Sequence, residues 1–179
     1  MEREELLAIR DVIADKDILV LSDEIYSEIY FEGRFTSFAS LPGMKEKTIV
    51  LNGVTKSFSM PGWRLGYACG PAAIIDAMLR IHQYSTINAP SISQHAAVEA
   101  LNNGDEYVGE ALGIYNERKE YMYRRFMDIG LKCLKPKGAI YFFPSIKETG
   151  LSSREFCDRL LREAKVAAVP GYEFGSCGE

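Results

Sequence analysis

An α/β architecture, in which helices flank a partial, parallel-rich sheet and a small α+β unit follows, is what the sequence predicts. Three observations predict it. Short, continuously apolar runs recur in the first half, helix-period segments lie between and after them, and the composition shifts after Gly104. Unbroken apolar runs suit parallel strands covered on both faces, whereas half-exposed strands alternate.

The elements follow in order. Glu2–Ala14 has helical periodicity, with Leu6, Leu7, Ile9, Val12 and Ile13 as its apolar side. The run Ile18–Ser22 predicts a first strand, Thr48–Asn52 a second and Arg64–Cys69 a third. Pro71 opens a helix through Ile74, Ile75, Met78 and Leu79, and Pro90 opens another to about Leu101. Beyond Gly104 the sequence is charged and rich in tyrosine, and Asp105–Met127 reads as one long helix stopped by Gly130. Strands are expected at Leu131–Leu134 and Ala139–Phe143, around the turn Lys135–Gly138, and a third at Val166–Val169. Ser152-Ser-Arg-Glu155 is a capping box that opens a helix to Ala164. Two parts result: residues 1–104 belong to the sheet, and residues 105–179 form a bridging helix and a small unit.

Composition narrows the function classes. The 179 residues make one ordinary domain or parts of two, and 47% hydrophobic with 26% charged residues describes a folded chain. A net charge of -4 gives no electrostatic footprint for nucleic acid or an anionic membrane. No apolar run approaches the ~18–20 residues that cross a bilayer. Met1 is followed by Glu-Arg-Glu-Glu, unlike a basic signal-peptide start, and the expectation is a cytoplasmic protein. Four cysteines without a Cys-x-x-Cys pair, and two histidines, argue against a metal site or a disulfide framework.

The chemistry-bearing residues cluster past the carboxyl ends of the first two strands, the edge where open α/β sheets bind ligands. The first run ends in Ser22-Asp23-Glu24-Ile25-Tyr26, and the second leads through Lys56 to Arg64. Taken singly, Asp23 reads as a helix cap, Tyr26 as core, and Lys56 and Arg64 as surface charges. Together they are more informative. A lysine amine condenses with an aldehyde, an arginine fork holds a phosphate, and a carboxylate at the neighbouring strand end needs a cationic partner. Lysine, arginine and aspartate at adjacent strand ends are the set that pyridoxal phosphate requires.

Thr55-Lys-Ser-Phe-Ser-Met-Pro-Gly-Trp-Arg-Leu-Gly66 resembles the lysine signature of the class I/II aminotransferases of fold type I. Asp23-Glu-Ile-Tyr26 is similar to the Asp-x-x-Tyr of that family, Ala139–Pro144 to a strand of its small domain, and Val169–Glu179 to its late loop. The resemblance implies the carboxyl-terminal part of a pyridoxal-phosphate-dependent transferase, with 1–104 the remainder of the cofactor-binding domain and 105–179 a truncated small domain. It implies that Lys56 holds the cofactor as an imine and moves the substrate's α-proton. Asp23 pairs with the pyridinium nitrogen, Tyr26 with the phenolic oxygen, and Arg64 with the phosphate. The implied substrates are an amino acid and a 2-oxo acid, and the implied assembly is a homodimer. Gly53 stands where many relatives have a serine and some a glycine, which leaves one of the family's phosphate hydrogen bonds open. The missing half of the sheet implies uncovered apolar surface, a free strand edge and little activity from this chain alone. Two other readings stay open: a fold type I β-lyase, and a non-catalytic effector-sensing domain of a regulator.

Overall fold

Helix α1, Arg3–Ile13, begins the computed structural model, which describes Met1–Glu179. Glu4 and Glu5 in its first turn and Arg10 in its last suit the helix dipole. The Glu2 amide donates to Glu5 Oε2 at 2.7 Å, as in a capping box. At the other end, Lys47 Nζ reaches the carbonyls of Ala14 (2.6 Å) and Lys16 (2.8 Å), just past the helix. Of the predicted apolar side, Leu6, Leu7 and Ile13 pack on the core, whereas Ile9 and Val12 are exposed.

By contacts the chain divides into two units, Met1–Glu117 with Lys137–Ile140, and Arg118–Pro136 with Tyr141–Glu179. The first holds a three-stranded sheet: β1 (Val20–Asp23), β2 (Thr48–Gly53) and β3 (Gly66–Cys69), in that spatial order. Each strand lies within a residue or two of its predicted run. β1 and β2 are parallel, with Val20 opposite Thr48 and Asp23 opposite Leu51. β3 is antiparallel to β2, with Gly53 opposite Gly66 and Val50 opposite Cys69. The sheet is therefore mixed rather than uniformly parallel. Length decides this. The only α-helix in the β2–β3 connection is α2, Val54–Ser57, which rises about 6 Å. A parallel return along β2 would have to cover about 20 Å.

The segment between β1 and β2 supplies the core. Phe38, Leu41 and Met44 are buried together, and Leu6, Leu7, Ile13 and Val20 pack against them. Coverage on both faces, expected from the apolar runs, is not what this chain provides. Val20 turns toward the core, while Leu21, its neighbour on the opposite face, is 64% exposed. Helices α3 (Ala72–Ser85) and α4 (Ser91–Asn103) follow the sheet, each with its proline, Pro71 or Pro90, at the N-cap. Gly104 ends α4 at a close contact: a Cβ there would stand 2.6 Å from the Phe58 ring and 2.4 Å from the Ala100 carbonyl oxygen.

Helix α5, Asp105–Asp128, is as long as its sequence predicts, and Gly130 leaves it at φ +80°. In the second unit α6, Ser153–Arg159, starts from the expected capping box, with the Glu155 amide 3.3 Å from Ser152 Oγ and the Ser152 amide 3.1 Å from Glu155 Oε2. A π-helical turn carries it on to Ala164. Edge-on ring pairs, Phe126 with Phe142 and Phe143 with Phe174, are centred 5.4 and 5.8 Å apart.

The three strands expected in this region, Leu131–Leu134, Ala139–Phe143 and Val166–Val169, do not form. A strand exists through its ladder partners. One backbone bond, Ser145 N to Lys132 O at 2.7 Å, ties the first segment to the chain just beyond the second. The start of the second is engaged elsewhere. Ala139 N donates to Ile29 O (2.8 Å), Phe31 N donates to Lys137 O (2.8 Å), and Gly138 bridges to Tyr30. Ala139 itself sits at φ +58°, outside strand geometry.

Candidate functional site

The carboxyl ends of β1 and β2 present the predicted residues. β1 stops at Asp23, and the chain turns at once: Ser27 N donates to Glu24 O and Ile29 N to Tyr26 O, both at 2.9 Å. Asp23 Oδ1 stabilises this turn by accepting the Ile25 amide at 3.2 Å, a local cap of the kind aspartate commonly makes. The Asp23 side chain is otherwise exposed.

β2 ends at Gly53, and the chain leaves for residues 54–65 before re-entering the sheet at Gly66. Because Gly53 and Gly66 face each other, both ends of this excursion leave from one rung. The approach is close. A Cβ on Gly53 would lie 2.9 Å from the Leu65 carbonyl oxygen and 3.0 Å from Gly66 Cα. A Cβ at Gly53 would therefore force the neighbouring backbone to shift, although its extended φ of 177° is one that any residue could adopt.

Inside the excursion, α2 carries Lys56, and a 3-10 turn, Pro61–Trp63, leads to Arg64. Val54 is fully buried and anchors the helix. Ser93 of α4, also buried, donates to the Trp63 carbonyl at 2.8 Å and anchors the turn. Ser59 and Arg64 both have left-handed backbones, φ 50° and 54°. Such conformations in non-glycine residues cost about 1–3 kcal/mol and concentrate at functional sites.

Lys56 and Tyr26 are brought together: Lys56 Nζ lies 5.7 Å from the centre of the Tyr26 ring, within cation–π range. Both side chains are half-buried. Arg64 is exposed, and its Nη1 donates to the Pro61 carbonyl at 3.1 Å. Asp23 and Tyr26 also line a groove of about 750 Å³ beside β1, with Leu6, Ile9 and Phe35 on its walls. Lys56 and Arg64 do not line it, so the groove flanks the cluster and does not enclose it.

Three residues that the sequence reading passed over shape this edge. Glu24 is buried and accepts from Ser22 Oγ (3.0 Å), Ser37 Oγ (2.8 Å) and the Phe38 amide (3.1 Å). Asn52 spans from β2 to the turn after β1, donating to Ser27 Oγ at 3.2 Å and accepting the Gly53 amide at 2.7 Å. Ser93 is the third. Opposite Asn52 in the register is Tyr67, whose phenol is raised above its ordinary value, chiefly by burial and then by Cys69 and Glu28. Glu24 had one signal in the sequence, a second acidic residue next to Asp23 at the end of the first strand.

The profile of the family described as aminotransferase class I and II matches residues 1–179. The putative aminotransferase YugH of Bacillus subtilis is 48% identical over 177 residues, 99% of this chain and 46% of that protein. An aspartate aminotransferase of Pyrococcus abyssi is 42% identical over all of this chain and 47% of its own length. The crystal structure of an aromatic aminotransferase from Pyrococcus horikoshii superposes with a TM-score of 0.94 at 40% identity, covering 99% of this chain and 48% of that one. The chain spans about half the length of the curated relatives it matches. With its motifs in family order and its fold shared over nearly every residue, the chain belongs to the class I and II aminotransferases.

Proposed function

We propose that the protein carrying this chain is a pyridoxal-phosphate-dependent aminotransferase that moves an amino group between an amino acid and a 2-oxo acid. The observation that carries the reading is the pinned 54–65 excursion, which sets the Lys56 amine over the Tyr26 ring at the strand edge where Asp23 ends β1. The residues suit the cofactor group by group. A carboxylate suits a protonated ring nitrogen, a phenol the ring oxygen, an amine the aldehyde and a guanidinium the phosphate. Asp23 gives one oxygen to the Ile25 amide and keeps a second for such a partner.

In this reading Lys56 holds the cofactor through its ε-amino nitrogen. The same nitrogen, once free of the cofactor, would be the base placed to carry the proton of the substrate Cα. Bound there, pyridoxal phosphate supplies the electron sink for the pair left when the Cα proton departs. Asp23 keeps the ring nitrogen protonated, Tyr26 donates to the ring oxygen, and Arg64 orients the whole by its phosphate. The relatives' names, aspartate and aromatic aminotransferase, suggest an aspartate or aromatic donor. The working assembly in this reading is a homodimer.

The test is borohydride reduction of the whole protein with pyridoxal phosphate, followed by peptide mass analysis. The expected adduct lies on Lys56, is absent from Lys56→Ala, and accompanies a loss of about 10²–10⁴-fold in amino transfer. An adduct that persists in Lys56→Ala removes the assignment. Release of pyruvate without need of a 2-oxo acid would point instead to a β-lyase.

A further inference from the structure

Glu24 is buried at 7% exposure, and its partners are neutral donors. A carboxylate taken from water is costly unless its lone pairs are satisfied. Here a single oxygen, Oε1, receives Ser22 Oγ, Ser37 Oγ and the Phe38 amide, two of them from a segment that begins 13 residues further along. That segment opens the 3-10 turn Phe38–Ser40, whose Phe38 belongs to the core cluster. The Glu24 backbone is engaged as well: its amide donates to Leu51 O of β2 at 2.8 Å, and its carbonyl closes the turn by accepting Ser27 N. One residue therefore fastens the end of β1 to β2, to its own turn and to the core. Asp23 precedes it and Tyr26 follows two positions later.

We infer that Glu24 is a positioning residue of the candidate site, holding the turn that presents Asp23 and Tyr26 through its three-donor carboxylate. It touches neither substrate nor cofactor. Truncation would leave two hydroxyls and an amide without their acceptor and let the turn relax away from the core. The inference rests on the aminotransferase reading given above.

The experiment uses the whole protein and measures pyridoxal phosphate affinity, the pH at which the bound cofactor's absorption band shifts, and the thermal melt. Glu24→Ala is expected to weaken cofactor binding about tenfold or more and to move the midpoint of the band's titration, since charged hydrogen bonds of this kind are lost. Glu24→Gln keeps an acceptor oxygen for all three donors and is expected to restore both quantities most of the way. Ser37→Ala removes one donor and should fall between. A folded Glu24→Ala protein with wild-type affinity and an unmoved titration overturns the role. If Glu24→Ala does not fold, Ser37→Ala decides, and wild-type affinity with an unmoved titration in that variant overturns it. A wild-type protein that shows no cofactor band overturns the reading of the site itself, a result distinct from failure of Glu24 alone.

Discussion

Gly53 marks the narrowest point of the lysine loop. A methyl group there would stand 2.9 Å from the Leu65 carbonyl oxygen, a backbone atom that cannot swing aside as a side chain does. Gly53→Ala is therefore expected to push β3 outward and lower stability by about 1–3 kcal/mol, the usual cost of overpacking. Denaturant melts of the variant against wild type check this, and unchanged stability would mean the strand pair has slack. Asp23, Tyr26, Lys56 and Arg64 could be singled out from sequence because their chemistry is carried by residue type and by the order of a local motif. The residues that support them could not. Glu24 meets Phe38, Asn52 meets Ser27 and Ser93 meets Trp63 across separations of 14, 25 and 30 residues, and no local pattern encodes such pairings.

At the scale of elements, helices were more legible than strands. The caps at Glu2, Pro71, Pro90 and Ser152 and the stop at Gly130 are local signals, and each marks a real boundary. Strand direction and strand existence depend on partners. That is why β3 runs antiparallel to β2 and why three apolar stretches after residue 130 stay irregular. The second unit instead carries surface polar contacts. Lys135 and then Lys119 hold the Glu120 carboxyl below its ordinary 4.5, Lys132 does so for Glu148, and Arg159 for Glu163. Hydrogen bonds from Ser152 lower Glu155. Each folded-state value is depressed, so the unfolded chain binds more protons in the acid range. The stabilisation is present above the ordinary carboxylate pKa and is lost as pH falls through the depressed values. Melts followed by circular dichroism across the acid range should show stability declining below about pH 4.5. Added salt should flatten the share of Glu120, Glu148 and Glu163 more than that of Glu155. A profile independent of pH would contradict these pairings.

At the scale of the molecule, the apolar surface is larger than a folded monomer usually leaves open. Ile81, Tyr84 and Ile92 are 71%, 94% and 68% exposed along the end of α3 and the start of α4. Large apolar side chains left this open are candidates for association. The chain is expected to sediment as a concentration-dependent mixture above monomer mass, and Ile81→Lys with Tyr84→Lys should shift it toward monomer without loss of helix signal. Equal sedimentation of the two would assign association to another face, the open edge of β1 among them.

The shared rung of Gly53 and Gly66 has one more consequence. A segment whose two ends face each other across one rung is bounded like a cassette. Between its anchors at the buried Val54 and at the Trp63 carbonyl, it can be lengthened with little added closure entropy, since each doubling adds only about 0.6 kcal/mol. Catalytic repertoire could drift within such a cassette while the framework beneath it stayed still.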